Sequence, residues 1–385
     1  MDRVSLEFAA GPDLTLPPIL VVTAGGLEHG GGIGRMVGYL ADEWKRDIAG
    51  PEFEILDPRG PGPLKLWPRR LLSTLRTIQR HARSGALVYI HVAGRGSSLR
   101  KLLVTAFCRA RDFPVVLHLH DYDYEDFCSS LPAPALAAVR WMFRTADHVI
   151  VLGQDARRTV TGLLGVPGER VSVLPNAVPA PASIIRQASA PVEILFLGQL
   201  SERKGVHDLI RALDRPAMRA LPWRATIAGG GPHQEVFEHQ LAATMVADRV
   251  AMPGWLDRPA TVDLLNRADI LVLPSYAEGM AMSVLEGMAH GLCIVSTPVG
   301  ALGEVIEPEI SGLLVRPGDV EQFADALVRA ISDDDLRRRL GRGALARFRH
   351  GFDAARYPAR LAPMLHLALR HFAGKRAQAR LAIGP

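Results

Sequence analysis

Glu278–Gly300, EGMAMSVLEGMAHGLCIVSTPVG, follows the apolar run ILVLP of Ile270–Pro274, and the order of patterns across this junction decides the fold. Pro274 and Gly279 break the run, Ala281–His290 carries helical spacing, and CIVST opens a second apolar strand that ends at Pro298-Val299-Gly300. A buried strand, a glycine turn, a helix and another buried strand make the repeating unit of a parallel sheet covered by helices. The first N–H groups of such a helix are unpaired and electropositive, so the junction suits an anion. Two carboxylates bracket it. Glu278 falls in the loop above the sheet, and Glu286 points out one to two turns into the helix. A carboxylate accepts two hydrogen bonds at once, which suits Glu286 to the paired hydroxyls of a ribose.

The same alternation extends towards the N-terminus. PPILVVTAGG (Pro17–Gly26) reads as a strand, followed by the loop LEHGGGIG and a helix from about Ile33 to Trp44. Further strands are expected at FEIL (53–56), ALVYIHV (86–92), PVVLHLH (114–120) and HVIVLG (148–153). At 385 residues the chain is too long for one typical core and suits two Rossmann-like domains. The expected division is 1–175, a linker over 176–190, a second domain over 191–350, and a C-terminal helical segment from 351. Pro175–Pro191 holds four prolines, five alanines and no acid, the composition of a linker on which two domains pivot. FDAARYPARLAPMLHLALRHF reads as helix broken at Pro358, and Gly374–Pro385 as a frayed tail.

Composition narrows the function classes. Cys108, Cys128 and Cys293 have no metal-ligand spacing and read as reduced thiols. MDRVSLEFAAGPD lacks the pattern of a signal peptide, and no run approaches the ~20 apolar residues of a membrane span, so a cytoplasmic protein is expected. Residues 61–120 hold eleven Lys or Arg against the single acid Asp112, within a chain of net charge +5. In this region Pro63–Arg83 interleaves Leu66, Trp67, Leu71, Leu72, Leu75 and Ile78 with basic residues. Two readings stand: an amphipathic helix lying on an anionic membrane from the inner face, or a core-facing helix with a solvated basic side. No nucleic-acid module accompanies the charge, so nucleic acid is not expected as a partner.

Three more stretches carry a resemblance. VLPNAV (Val173–Val178), FLGQLSERKGVHDLI (Phe196–Ile210) and ATIAGGGPHQEVFE (Ala225–Glu238) precede EGMAMSVLE in an order similar to the retaining glycosyltransferases of family four, whose signature is Glu-x7-Glu. The resemblance implies the GT-B fold, α/β with two Rossmann-like domains facing each other across a cleft, and a C-terminal helix that returns to the first domain. It implies transfer of a sugar from a nucleoside-diphosphate sugar to a glycan or polyprenyl-linked acceptor, in exopolysaccharide or envelope-glycan assembly. Catalysis falls by resemblance to His120, Glu278, Lys204 and Arg203. Donor binding falls to Gly32, Gly198, Gly279, Met280, Ala281, Met282 and Glu286, with Arg35 beside the glycine loop. The chemistry agrees for Arg203 and Lys204, because a departing diphosphate needs positive groups near its oxygens. His120 ends a strand where ligands of parallel sheets gather, and His118, two residues earlier, reads as buried structure. Gln199 stands where many relatives carry Arg, so one phosphate charge is missing. No cofactor is implied. No metal is expected either, since DYD at Asp121–Asp123 reads as an acceptor-side loop.

Other classes fit less well. An NAD-linked oxidoreductase calls for GxGxxG after the first strand with an acid about twenty residues on, and LEHGGGIG does not keep that register. A GT-B sugar-nucleotide epimerase and a non-catalytic nucleotide-sugar-binding subunit remain as alternatives. The second has no use for sugar-side and acceptor-side groups such as Glu278 and His120.

Overall fold

The computed structural model describes residues 16–23, 31–47, 52–60, 64–184 and 191–383. Gly25, Gly26 and Gly30 of the glycine loops, and residues 185–190 of the linker, lie outside these.

Twelve parallel strands are described, in two sheets of six. The first contains β1 (Ile19–Val22), β2 (Phe53–Leu56), β3 (Leu87–Val92), β4 (Val115–Leu119), β5 (His148–Val151) and β6 (Val171–Val173), in the order β2-β1-β3-β4-β5-β6. The second contains β7 (Val192–Leu197), β8 (Trp223–Ala228), β9 (Val250–Gly254), β10 (Ile270–Leu273), β11 (Cys293–Ser296) and β12 (Leu313–Leu314), in the order β12-β11-β10-β7-β8-β9. The central strands are Val, Ile and Leu runs buried along their whole length, because helices cover both faces of each sheet. Strand order reverses direction between β1 and β3 and again between β7 and β10, and ligands of open α/β sheets bind outside the carboxyl ends at such points. These are two Rossmann-like domains in the GT-B arrangement.

The chain crosses between the domains twice at one place. Val178, in the linker, donates its N–H to Phe352 O at 3.0 Å and accepts from Ala354 N at 2.9 Å. Beyond this bridge the last helix, Tyr357–Ile383, packs on the helix Gly31–Asp47 and on β4 and β5 of the first domain. Two expectations are corrected here. Pro358 does not break this helix but sits in its first turn, where a missing N–H costs nothing. Gly374–Ile383, within the stretch expected to be a frayed tail, continues this helix. Lys375 Nζ reaches the fully buried Asp147 Oδ1 at 2.8 Å, and Arg376 pairs with Asp112 at 3.0 Å. A buried carboxylate needs such a partner, and Arg109 supplies a second at 3.2 Å.

The basic segment forms the helix Trp67–Arg80, flanked by single 3₁₀ turns. Leu71 and Ile78 are buried, and Trp67 and Leu75 pack against the same core. The interleaved apolar residues are therefore taken up by the domain's own core, at the i, i+4, i+7 spacing of an inward stripe, and only Leu72 among them is exposed. All three cysteines are buried. Among the described residues, no helix is long and apolar enough to cross a membrane.

Candidate functional site

The site grows from the ends of β7 and β10. After β7 the chain turns at Gly198 and forms the single turn Glu202–Lys204, which closes on Gly205 in the left-handed region at φ +69°. Gly205 also lies against Pro274 O, in the loop after β10, so no side chain fits there. This contact brings Arg203 and Lys204 onto the loop Ser275–Glu278. Tyr276 N donates to Arg203 O at 2.8 Å, and Arg203 Nη1 donates to Ala277 O at 2.6 Å.

Glu278 is buried there among positive groups. Its Oε1 takes Lys204 Nζ at 2.5 Å, Ser275 Oγ at 2.7 Å and Arg203 Nη1 at 3.4 Å. All three contacts converge on Oε1, and Oε2 takes no part in them. Burial lowers the Lys204 pKa, while the Glu278 carboxylate opposes that shift. The helix Met282–Ala289 begins directly after, with Ala281 at its cap and no side chain on the free N–H groups.

Across the cleft, Gly31 and Gly32 open the helix Gly31–Asp47. A Cβ at Gly32 would lie 3.7 Å from Met282 Cγ, so the openings of the two helices face each other. Arg35, in the first turn, pairs with Glu286 Oε1 at 3.0 Å. Burial raises the Glu286 pKa, against the nearby Arg35 and Arg258. Between these walls lies a cavity of about 660 Å³. Gly32, Gly198, Arg203, Lys204, Glu278, Met280, Ala281, Met282 and Glu286 all line it, as does Gln199. Of the expected donor set, only Gly279 does not. It lines a second cavity of about 330 Å³, reached on the other side of Glu278, and a Cβ there would sit 2.8 Å from His120 O.

The second cavity is bordered by Asp121 and Tyr122 of the loop after β4 and by Glu125 of the short helix Tyr124–Ser129, together with Gly153 and Gly300. Arg203 lies over the Tyr122 ring at 4.6 Å, closing the gap between the domains. Burial raises the Asp121 pKa, with Asp123 adding to the shift. The His120 ring turns under this loop rather than into either cavity. Its Nε2 lies 2.8 Å from His91 Nδ1, and burial pushes its pKa down to about 3. His118 is fully buried beneath it.

Two residues escaped the sequence reading. Trp255 follows β9, is 69% exposed and lines the larger cavity, offering a flat apolar face beside Gly230. Its strand, VAMPG, is only half-buried and contains a proline, so no periodic pattern flagged it. His91 is invisible as a site residue because it sits inside the apolar run of β3.

Two Rossmann-like domains with an anion cradle at the facing helix ends define the GT-B class. The sequence matches the family described as Glycosyltransferase Family 4 over residues 30–180 and the one described as Glycosyl transferases group 1 over residues 184–347. The chain belongs to the family-four glycosyltransferases. It is 30% identical over 255 residues to glycogen synthase of Mycobacterium tuberculosis, covering 64% of this chain and 62% of that relative. The match thus spans less than two thirds of the relative's length. Among solved structures, sucrose-phosphate synthase of Thermosynechococcus elongatus superposes with a TM-score of 0.72 at 20% identity, covering 96% of this chain and all of that one. HepE of Anabaena, in complex with UDP, superposes with a TM-score of 0.70 at 18% identity, covering 91% of this chain and 99% of that one.

Proposed function

We propose that this chain is a retaining glycosyltransferase that moves a sugar from a nucleoside-diphosphate sugar to a glycan or lipid-linked acceptor, in exopolysaccharide or cell-envelope glycan assembly. The observation that carries the reading is Glu278, which separates two cavities and is held by Lys204, Arg203 and Ser275 through one oxygen. The donor occupies the larger cavity, with its ribose on Glu286 and its diphosphate against Lys204, Arg203 and the opening of the helix Met282–Ala289. The base lies along Trp255. Oε2 of Glu278 meets the donor sugar, and the acceptor enters from the smaller cavity past Asp121 and Tyr122. As the bond to the sugar breaks, charge collects on the diphosphate, where preorganised positive groups lower the barrier most. Glu278 is already committed to Lys204 and is a poor nucleophile. Retention therefore follows from attack on the same face, with the leaving phosphate taking the acceptor's proton. The basic side chains do the neutralising, so no metal is required for transfer.

A uridine nucleotide is the first donor to test, since the similar HepE fold is a complex with UDP. Docking at an anionic bilayer is supported by Leu72, Leu99 and Leu103, exposed by 41–54% on two packed helices of the basic region. The deciding experiment is a panel of UDP-, GDP- and ADP-sugars, scored for binding and turnover with the wild type and with Glu286→Ala. One base class should bind, and the variant should lose about 1.5–3 kcal/mol of that affinity. Unchanged affinity would remove Glu286 from the ribose. Binding without turnover over every acceptor would favour a non-catalytic subunit, and donor consumption without acceptor would favour an epimerase.

A further inference from the structure

Register and pleat bring three histidines together beneath the cleft floor. β3 and β4 pair His91 with His118, and the two-residue period puts His118 and His120 on one face. The ring centres lie 4.1 Å apart for His118 and His120, 4.9 Å for His91 and His120, and 5.4 Å for His91 and His118. One ring nitrogen of each lies within 4.8 Å of the other two. Each ring also keeps one buried nitrogen without a hydrogen-bond partner: His91 Nε2, His118 Nε2 and His120 Nδ1. A metal held by His91 Nδ1, His120 Nε2 and His118 Nε2 satisfies one of these, His118 Nε2, whose lack of a partner costs about 1–3 kcal/mol. The Tyr89 hydroxyl lies 2.6 Å from His118 Nδ1, in the place of the outer partner that orients a ligating ring and sets its tautomer.

We propose that His91, His118 and His120 form a binding site for one divalent transition metal that prefers imidazole nitrogen, with zinc the leading candidate. Three nitrogen ligands and no carboxylate disfavour magnesium and calcium, which take oxygen. His91 Nδ1 and His120 Nε2, now 2.8 Å apart, open to about 3.3 Å to take zinc at about 2.0–2.1 Å. The proton shared between them moves to the outer nitrogen of the same ring, so ligation releases none. Because the His120 backbone lies against Gly279 at the smaller cavity, a bound metal that fixes this residue slows transfer while leaving nucleotide binding intact. That consequence rests on the transferase reading; the site itself does not.

The test uses untagged full-length protein, stripped with a chelator and desalted, then titrated with cobalt(II) and zinc(II). Expected are one metal per chain by elemental analysis and a visible cobalt absorption of tetrahedral type that zinc displaces. Tyr89→Phe should weaken the metal about tenfold to a hundredfold, and His91→Asn and His118→Asn by more. An unchanged far-ultraviolet circular dichroism spectrum and a cooperative thermal transition show that each variant is folded. Failure of the wild type to take up stoichiometric metal would overturn the proposal, and water would then be the partner of these rings. The same cobalt spectrum and affinity in both histidine variants would also overturn it. Metal uptake without any effect on turnover would leave the site standing and remove His120 from transfer.

Discussion

On the second-domain wall of the cleft, Glu278 is gripped by Lys204, Arg203 and Ser275, and Glu286 by Arg35 reaching across. On the first-domain wall, His91, His118 and His120 are hydrogen-bonded to one another or to Tyr89 and are kept neutral by burial. The carboxylates on one side are held by paired charge, and the histidine cluster on the other is neutral. Paired charge is costly to desolvate unless geometry is tight, and the glycine turns at Gly198 and Gly205 provide that geometry. The payoff is a wall that meets developing negative charge without reorganising. The neutral cluster lies beneath the loop that carries Asp121 and Tyr122 to the smaller cavity.

Breaking the charged wall should have the largest effect. Lys204→Ala is expected to lower kcat/KM by about 2–4 kcal/mol, roughly 30- to 1000-fold, in a steady-state assay with the preferred donor. A loss under about tenfold would place Lys204 outside the chemistry. Trp255→Ala tests the uncharged end of the same cavity: UDP affinity by calorimetry should fall by about 1–3 kcal/mol if the base stacks there, and an unchanged value would move the base elsewhere.

The neutral wall predicts effects on stability. Lys101 is fully buried without a hydrogen-bond partner, so Lys101→Met should raise the urea midpoint at pH 7 by an amount worth about 1–2 kcal/mol. A lower midpoint would mean that its charge is compensated. The smallest effect is a pH slope. Burial, with His371 and Arg170 adding, pushes His148 down to about 4, beneath the last helix. Unfolded, the ring takes its proton near pH 6.5, so between roughly 6.5 and 4 the unfolded state binds more protons and stability falls as pH falls, by up to about 1.4 kcal/mol per unit. His148→Asn should flatten the decline of the thermal midpoint between pH 7 and 5, and an unaltered slope would assign it to other groups.

Much of this was legible beforehand for a simple reason: strands buried on both faces write continuous apolar runs, and FEIL is a strand over the residues expected of it. Arg203, Lys204 and Glu278 stood out because they flank glycine turns at strand ends, and all three, with Glu286, because the stretches around them resemble family four. Trp255 did not, since it follows the half-buried edge strand VAMPG, whose residues do not alternate between apolar and polar. The fate of Lys375 was equally hidden, because its partner Asp147 lies on the far side of the first domain.

The amino-acid order alone determined that there would be two parallel sheets and which loops would sit at their carboxyl ends, because burial periodicity and backbone stereochemistry are local. Only the tertiary structure decided that Arg35 meets Glu286 across 251 residues, that Lys204 and Arg203 share one oxygen of Glu278, and that three histidines from two strands stack under the cleft. Those are meetings between surfaces of separate elements. They depend on how the domains dock and which strand lies beside which, quantities that no local pattern encodes.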